Sequence, residues 1–232
     1  MTNTFWLTEA KSLLLALIDR EPGNARAHYT LSGIYITETR YSLAEKHLRL
    51  ASKVATKQSV VFSSLAQVLN MQGQNETALP YARKAVALDS RSEFAHRVLG
   101  ELYSDLRRPV LARQSLQNAI SANPEAHPAH VALYELEVTL GNKAASEQHL
   151  ADAQKLAPKD PAVLIALANS NLGDAPDVLE NIQQQLTLKE PPISPLERSR
   201  LSFAAGKLLE KQGNLPQAFH YYDNNREGLY PP

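Results

Sequence analysis

The sequence predicts an all-α solenoid, a stack of antiparallel helix pairs with no single central core. Five leucines, Leu31, Leu65, Leu99, Leu133 and Leu167, recur at one constant interval. Alanines keep the same interval: Ala44, Ala78 and Ala112, then Ser146, and also Ala51, Ala85, Ala119 and Ala153. Between these marks the apolar residues recur at helical spacing. Such a period is too long for one helix and too short for a domain. It marks a supersecondary unit that buries its apolar face only by stacking on its neighbours.

Taken in order, residues 1–24 hold one helix over 4–20, with Ala10, Leu14 and Leu17 in the phase of a second helix, a leading half unit. Residues 25–158 hold four regular units. In the first, His28, Leu31, Ser32 and Tyr35 fall on one helical face, and Ala44, Leu48 and Ala51 line the inner face of its partner. The short polar link Glu38-Thr39-Arg40-Tyr41 makes the two antiparallel neighbours. Phe62, Leu65, Ala66 and Leu69 with Ala78, Ala82 and Ala85 repeat the plan. So do His96, Leu99, Gly100 and Tyr103 with Ala112, Leu116 and Ala119, and His130, Leu133 and Tyr134 with Ser146, Leu150 and Ala153. Ser32, Ala66 and Gly100 are small where the paired helices cross. Pro22, Pro124 and Pro158 close second helices. Ser90-Arg91-Ser92-Glu93 and Ser194-Pro195-Leu196-Glu197 read as capping boxes, and Asp160-Pro161 as an N-cap followed by proline.

The end of the chain is less regular. Residues 159–189 start as a fifth unit with Leu164, Leu167 and Ala168, but the turn shrinks to Gly173-Asp174 and the second helix lacks the alanines. Residues 190–232 comprise a proline loop, Glu190-Pro191-Pro192-Ile193, and a terminal unit carrying Gly206, Leu209, Gly213-Asn214, Ala218 and Tyr222. Gly213 falls slightly more than two full periods after Gly141, so the loop shifts the frame and Leu201 keeps the leucine interval only by coincidence.

Composition narrows function. The 232 residues are 44% hydrophobic, with 24 basic and 24 acidic side chains and a formal net charge of zero. A neutral chain is a poor candidate for nucleic acid, which calls for a basic excess. With no cysteine there is no disulfide, thiolate metal site or cysteine nucleophile. The first residues carry no basic segment, and Glu9, Lys11 and Asp19 interrupt the apolar run, so neither a signal peptide nor a membrane span is expected and cytoplasm is the default.

The repeat positions resemble the tetratricopeptide repeat: a small or aromatic residue, Leu, Gly/Ala and Tyr on the first helix, then Ala, an aromatic or Leu, Ala and Pro on the second. Here His28, Phe62, His96 and His130 replace the usual first Trp, and Glu137 stands where Tyr is common. The resemblance implies a right-handed superhelix of about six pairs plus a leading helix, working as a non-catalytic protein-interaction scaffold. No phosphate loop, HExxH, GxSxG or dinucleotide turn is present. No cofactor or metal is expected. His28, His96 and His130 read as partly buried packing residues, and His127 with His130 lacks a third ligand at metal spacing.

In this family the first-helix positions beside the packing face line the concave surface. Here they are Arg26, Tyr29, Val60, Ser63, Gln67, Asn70, Phe94, Arg97, Glu101, Val131, Glu135, Ile165 and Asn169. The Lys and Asn pair of the family's carboxylate clamp is missing. A peptide or protein segment with apolar anchors fits better, with Tyr29, Phe94 and Val131 supplying contact area and Arg97 meeting an acidic partner. Residues 201–214 (LSFAAGKLLEKQGN), with Ala218, Phe219, His220, Tyr221, Tyr222 and Asn225, are similar to the last repeat before the catalytic domain of bacterial tetratricopeptide sulfotransferases. That likeness implies an alternative role as the substrate-recognition arm of a transferase whose catalytic domain is absent from this chain. The apolar residues Phe219, Tyr221, Tyr222, Leu229 and Tyr230 imply self-association through the C-terminal end.

Overall fold

A computed structural model describes residues 2–170, 176–188 and 194–229. The described residues form thirteen helices and no strand. Internal contacts divide the chain into two units, residues 1–132 and 133–232. The first contains α1 (Thr2–Arg20), α2 (Ala25–Thr37), α3 (Tyr41–Val54), α4 (Ser59–Met71), α5 (Asn75–Leu88), α6 (Glu93–Asp105) and α7 (Pro109–Ala122). The division falls within α8 (His127–Thr139). The second continues with α9 (Lys143–Leu156), α10 (Pro161–Asn169), α11 (Pro176–Thr187), α12 (Pro195–Lys211) and α13 (Leu215–Leu229). The Gly173-Asp174 turn and the Glu190-Pro191-Pro192-Ile193 loop lie outside the described residues.

The period of the sequence becomes a period of elements. Helices α2, α4, α6 and α8 each have 13 residues, and α3, α5, α7 and α9 each have 14. The turns repeat too. One backbone bond closes each of them, from Arg40 N–H to the Tyr35 carbonyl, Gln74 to Leu69, Arg108 to Tyr103, Asn142 to Glu137 and Asn214 to Leu209, at 2.8–2.9 Å. This bond needs a left-handed residue just before its donor. Thr39, Gly73, Arg107, Gly141 and Gly213 fill that place, with φ between 56° and 78°. Gly213 therefore shows that the last pair reuses the same turn in the shifted frame.

Helix starts follow local chemistry. Asn24, Ser92 and Asp160 accept backbone N–H groups of the first turns they cap, and Ser194 forms a full capping box with Glu197. At α6 the expected box at Ser90 is replaced by a cap at Ser92, which leaves Glu93 in the first turn. The four alanine-rich second helices bury their marker residues completely or nearly so, from Ala44, Leu48 and Ala51 to Leu150 and Ala153. At Gly100 an added Cβ would lie 2.6 Å from Leu116 Cγ and 3.2 Å from the Ala112 carbonyl oxygen. The glycine is what allows α6 to touch α7.

Three first-helix histidines are buried, at His28, His96 and His130. For two of them the reason is visible. His28 Nε2 donates to the Pro22 carbonyl and His96 Nε2 to the Ser90 carbonyl, each at 3.0 Å and each from the loop just upstream. Each of these histidines thus pins the loop that enters its helix.

The leading helix differs from expectation. Its half-buried residues are Leu7, Lys11, Leu14 and Ile18, while Ala10 and Leu17 are exposed together with Trp6 (64%) and Leu13 (66%). Among the described helices, α2 is the one that packs on α1. No described helix covers the face that the alanine register would bury. In the second unit α12 packs on both α10 and α11, and pairs with α13, where Gly206 admits the Tyr222 ring.

Two stability predictions follow from these contacts. Thr39→Gly and Arg107→Gly each raise stability by about 0.5–1 kcal/mol in urea denaturation, because the relief of a left-handed L-residue exceeds the backbone entropy that glycine adds. A loss of stability would show that the side chains hold these turns. Gly100→Ala costs roughly 1–3 kcal/mol through overpacking on Leu116, and a neutral effect would mean that the α6–α7 crossing is looser than described.

Candidate functional site

The face expected to bind a partner within residues 1–132 is built by α2, α4 and α6. Helix α4 touches α6 directly as well as through α5. Tyr29 of α2 packs against Ala51, Ala55 and Val61, which ties α2 to the start of α4. Tyr29, Gln67, Asn70, Phe94, Arg97 and Glu101 are all half-buried, Arg26 is exposed, and Val60 is 40% exposed. Two expected members do not reach the surface. Ser63 is fully buried and donates its hydroxyl to the Ser59 carbonyl at 3.2 Å, and Val131 is 7% exposed. The cause is side-chain length: this repeat position lies at the edge of the packing face, so Tyr29 and Arg97 extend past it while a serine or valine does not. Glu135 and Asn169 are exposed and Ile165 is half-buried, all in residues 133–232, where Asn169 accepts from Lys207 Nζ at 2.9 Å.

Chemistry concentrates on α6. Arg97 donates to Glu101 at 2.5 Å and lies 3.3 Å from Glu93, the second contact an ion pair whose angle is too poor for a hydrogen bond. Its guanidinium sits 5.3 Å from the centroid of the Phe94 ring. Burial pushes the Glu101 carboxyl above the usual carboxylate range, and Arg97 pulls it back down without cancelling the effect. Glu93 was not among the expected site residues. Its signal was legible all the same, since 93, 97 and 101 are spaced by four on one helix face. Arg97 is thus flanked by carboxylates on both sides, one turn before it and one turn after.

Polar ties also join successive pairs. Arg49 bridges Glu45 and the Tyr81 hydroxyl, Gln72 donates to Glu45, and Arg83 reaches the Tyr103 hydroxyl. Residues 133–232 carry a separate open hollow of about 290 Å³, lined in part by Tyr134, Lys143, Glu147 and Asn169.

With the pairs, turns and crossings described, comparison with known proteins is direct. Residues 97–161 match the model of the tetratricopeptide repeat family. Residues 97–161 are tetratricopeptide repeat sequence, and the chain as a whole has the fold of a tetratricopeptide repeat solenoid. Its fold is similar to that of a tetratricopeptide repeat protein from Parabacteroides merdae ATCC 43184, at 20% identity over 97% of this chain and 88% of the other, with a TM-score of 0.66. Cut9, in the APC/C hetero-tetramer Cut9-Hcn1, aligns with a TM-score of 0.71 at 15% identity. That alignment covers 96% of this chain and 43% of the other. YrrB, described as a tetratricopeptide repeat protein with an unusual peptide-binding site, aligns at 19% identity over 71% of this chain and 85% of its own, with a TM-score of 0.54. At these identities the likeness is one of fold. No curated protein matches the chain. Among the described residues no helix is long and apolar enough to cross a membrane.

The Glu101 shift carries a pH prediction. A carboxyl whose pKa is raised by folding binds more protons folded than unfolded, so its contribution falls as pH rises from the ordinary value of 4.5 through the folded value. Glu101→Gln is therefore no less stable than wild type at neutral pH, and wild type gains on it as the pH drops through that window. Urea melts at several pH values read this out; a clear destabilisation of Glu101→Gln at neutral pH would mean that the Arg97 bond outweighs burial.

Proposed function

We propose that this tetratricopeptide array is a non-catalytic scaffold that binds a peptide or protein segment on the face formed by α2, α4 and α6. The observation that carries the reading is the Phe94–Arg97 platform, an aromatic ring and a guanidinium held rigid between Glu93 and Glu101 and left partly open to solvent. Rigid aromatic and arginine groups dominate protein-interface energetics because little side-chain entropy remains to be lost. Tyr29 offers a second apolar contact on α2. The half-buried amide of Gln67 lies between them on α4, where it can meet the backbone of an extended segment. The carboxyl groups of Glu93 and Glu101 on either side of the platform favour a ligand with an apolar anchor followed by Lys or Arg.

Selection of random peptides against the full chain tests this. Enriched sequences carry an aromatic or aliphatic anchor beside a basic residue. They lose about tenfold or more in affinity on Phe94→Ala and on Tyr29→Ala, the scale of a moderate interface hot spot. Enriched peptides that bind wild type and both variants equally would place recognition elsewhere.

The C-terminal pair supports self-association as a further part of the reading. Phe203, Leu215 and Phe219 are exposed there, Phe219 by 74%. The side chains of Leu229 and Tyr230 lie outside the described residues. A concentration-dependent rise in sedimentation coefficient that Phe219→Asp abolishes is the expected result. A wild-type chain that stays monomeric at high concentration would contradict it.

A further inference from the structure

Two buried titratable groups meet inside the first helix pair, away from the Phe94–Arg97 platform. His28 of α2 and His47 of α3 are 3% and 8% exposed, and their Nδ1 atoms are 2.8 Å apart. One neighbour fixes the tautomers. His28 Nε2 is 3.0 Å from the Pro22 carbonyl oxygen, which can only accept. Neutral His28 therefore carries its proton on Nε2 and presents Nδ1 as an acceptor, and His47 donates to it from Nδ1. One extra proton fits, on Nε2 of His47, without disturbing the contact. A second does not, because both Nδ1 atoms would then be donors on two cations at hydrogen-bond distance.

Nothing packed around the rings invites that second proton. From α1, Lys11 Nζ lies 4.8 Å from the centroid of Tyr35, whose ring stacks on His47 at 5.5 Å. Arg40 lies 5.4 Å from the same ring. Glu38, the nearby carboxylate, already binds Lys11 at 2.7 Å and Arg40 at 3.5 Å. Lys46 of α3 adds another positive charge felt by His47. Helix α4 carries no titratable side chain. Burial, then His28, then Lys46 lower the pKa of His47 from its ordinary 6.5.

We infer that the His28–His47 contact is an acid-labile latch: near neutral pH it joins α2 to α3 and to the loop at Pro22, and a second proton opens it. The sign follows from proton counting. The two facing Nδ1 atoms have room for one proton between them, so the closed pair binds one proton fewer than two separated rings and loses stability as pH falls. In acid the opened pair holds two protons and the closed pair one at most. Opening then grows by about tenfold per pH unit, the linkage for one net proton. Arg26 and Tyr29 ride on α2, so opening withdraws that part of the proposed binding face. The latch itself stands whether or not that face binds a ligand.

Hydrogen exchange of the full chain at about pH 7.5 and about pH 5, corrected for intrinsic rates, tests the latch across the range where histidine changes charge. In wild type the amides of α2 and α3 lose about tenfold or more in protection in acid, relative to those of α5 and α6. His47→Asn keeps an N–H donor toward His28 but does not titrate, so it holds its protection at both pH values. Unchanged protection in wild type would overturn the inference, and so would an equal loss in the variant. If His47→Asn does not fold, nitrogen–proton correlations of the wild-type rings decide the matter. The latch requires Nε2–H on His28 and Nδ1–H on His47 at neutral pH, and two Nε2–H rings titrating freely would refute it.

Discussion

Everything in this structure depends on how closely two helices of a pair can approach. The crossing positions carry Ser32, Ala66 and Gly100 on first helices, facing the alanines and leucines of second helices that are fully or almost fully buried. Small side chains at the crossing let larger ones beside it interdigitate, and each buried leucine contributes roughly 1.5–3 kcal/mol. Gly100 marks the limit, since even a methyl group there would collide with Leu116. Once the crossings are fixed, the turns must close within a few residues, which forces a left-handed residue into each. The remaining surface of α2, α4 and α6 is then displayed in a set order along one face.

Much of this was legible because the repeat states it several times over. The constant interval between leucines placed the helix pairs, and the replacement of Trp by His signalled a buried polar group. What could not be read was any contact made across the repeat. The histidine bonds to Pro22 and Ser90 join a helix to a loop whose path the sequence does not reveal. The His28–His47 contact is harder to read, because Tyr81 and Ser115 hold the place of His47 in the next two units and a histidine returns there only at His149. Tyr222 over Gly206 belongs to the shifted terminal unit, where the leucine interval itself misleads.

The candidate site was legible in position more than in character. Position in the repeat predicted which residues border the packing face, and the long side chains among them do reach solvent. Ser63 and Val131 do not, since a one-residue pattern carries no information about reach. Charge was the larger surprise. Read singly, Arg97 is a cation for an acidic ligand; the structure adds a carboxyl group on either side of it, Glu93 and Glu101. Burial then decides which effect dominates at Glu101, because desolvation of its carboxylate exceeds what the guanidinium returns.

The central claim is that the face of α2, α4 and α6 is the working surface. Amide chemical-shift mapping of the isotope-labelled full chain, titrated with a selected peptide, addresses it most directly. The account predicts a continuous patch of perturbed signals on Tyr29, Gln67, Asn70, Phe94, Arg97 and Glu101. Perturbations confined to the second helices α3, α5 and α7, or to α13, would contradict it.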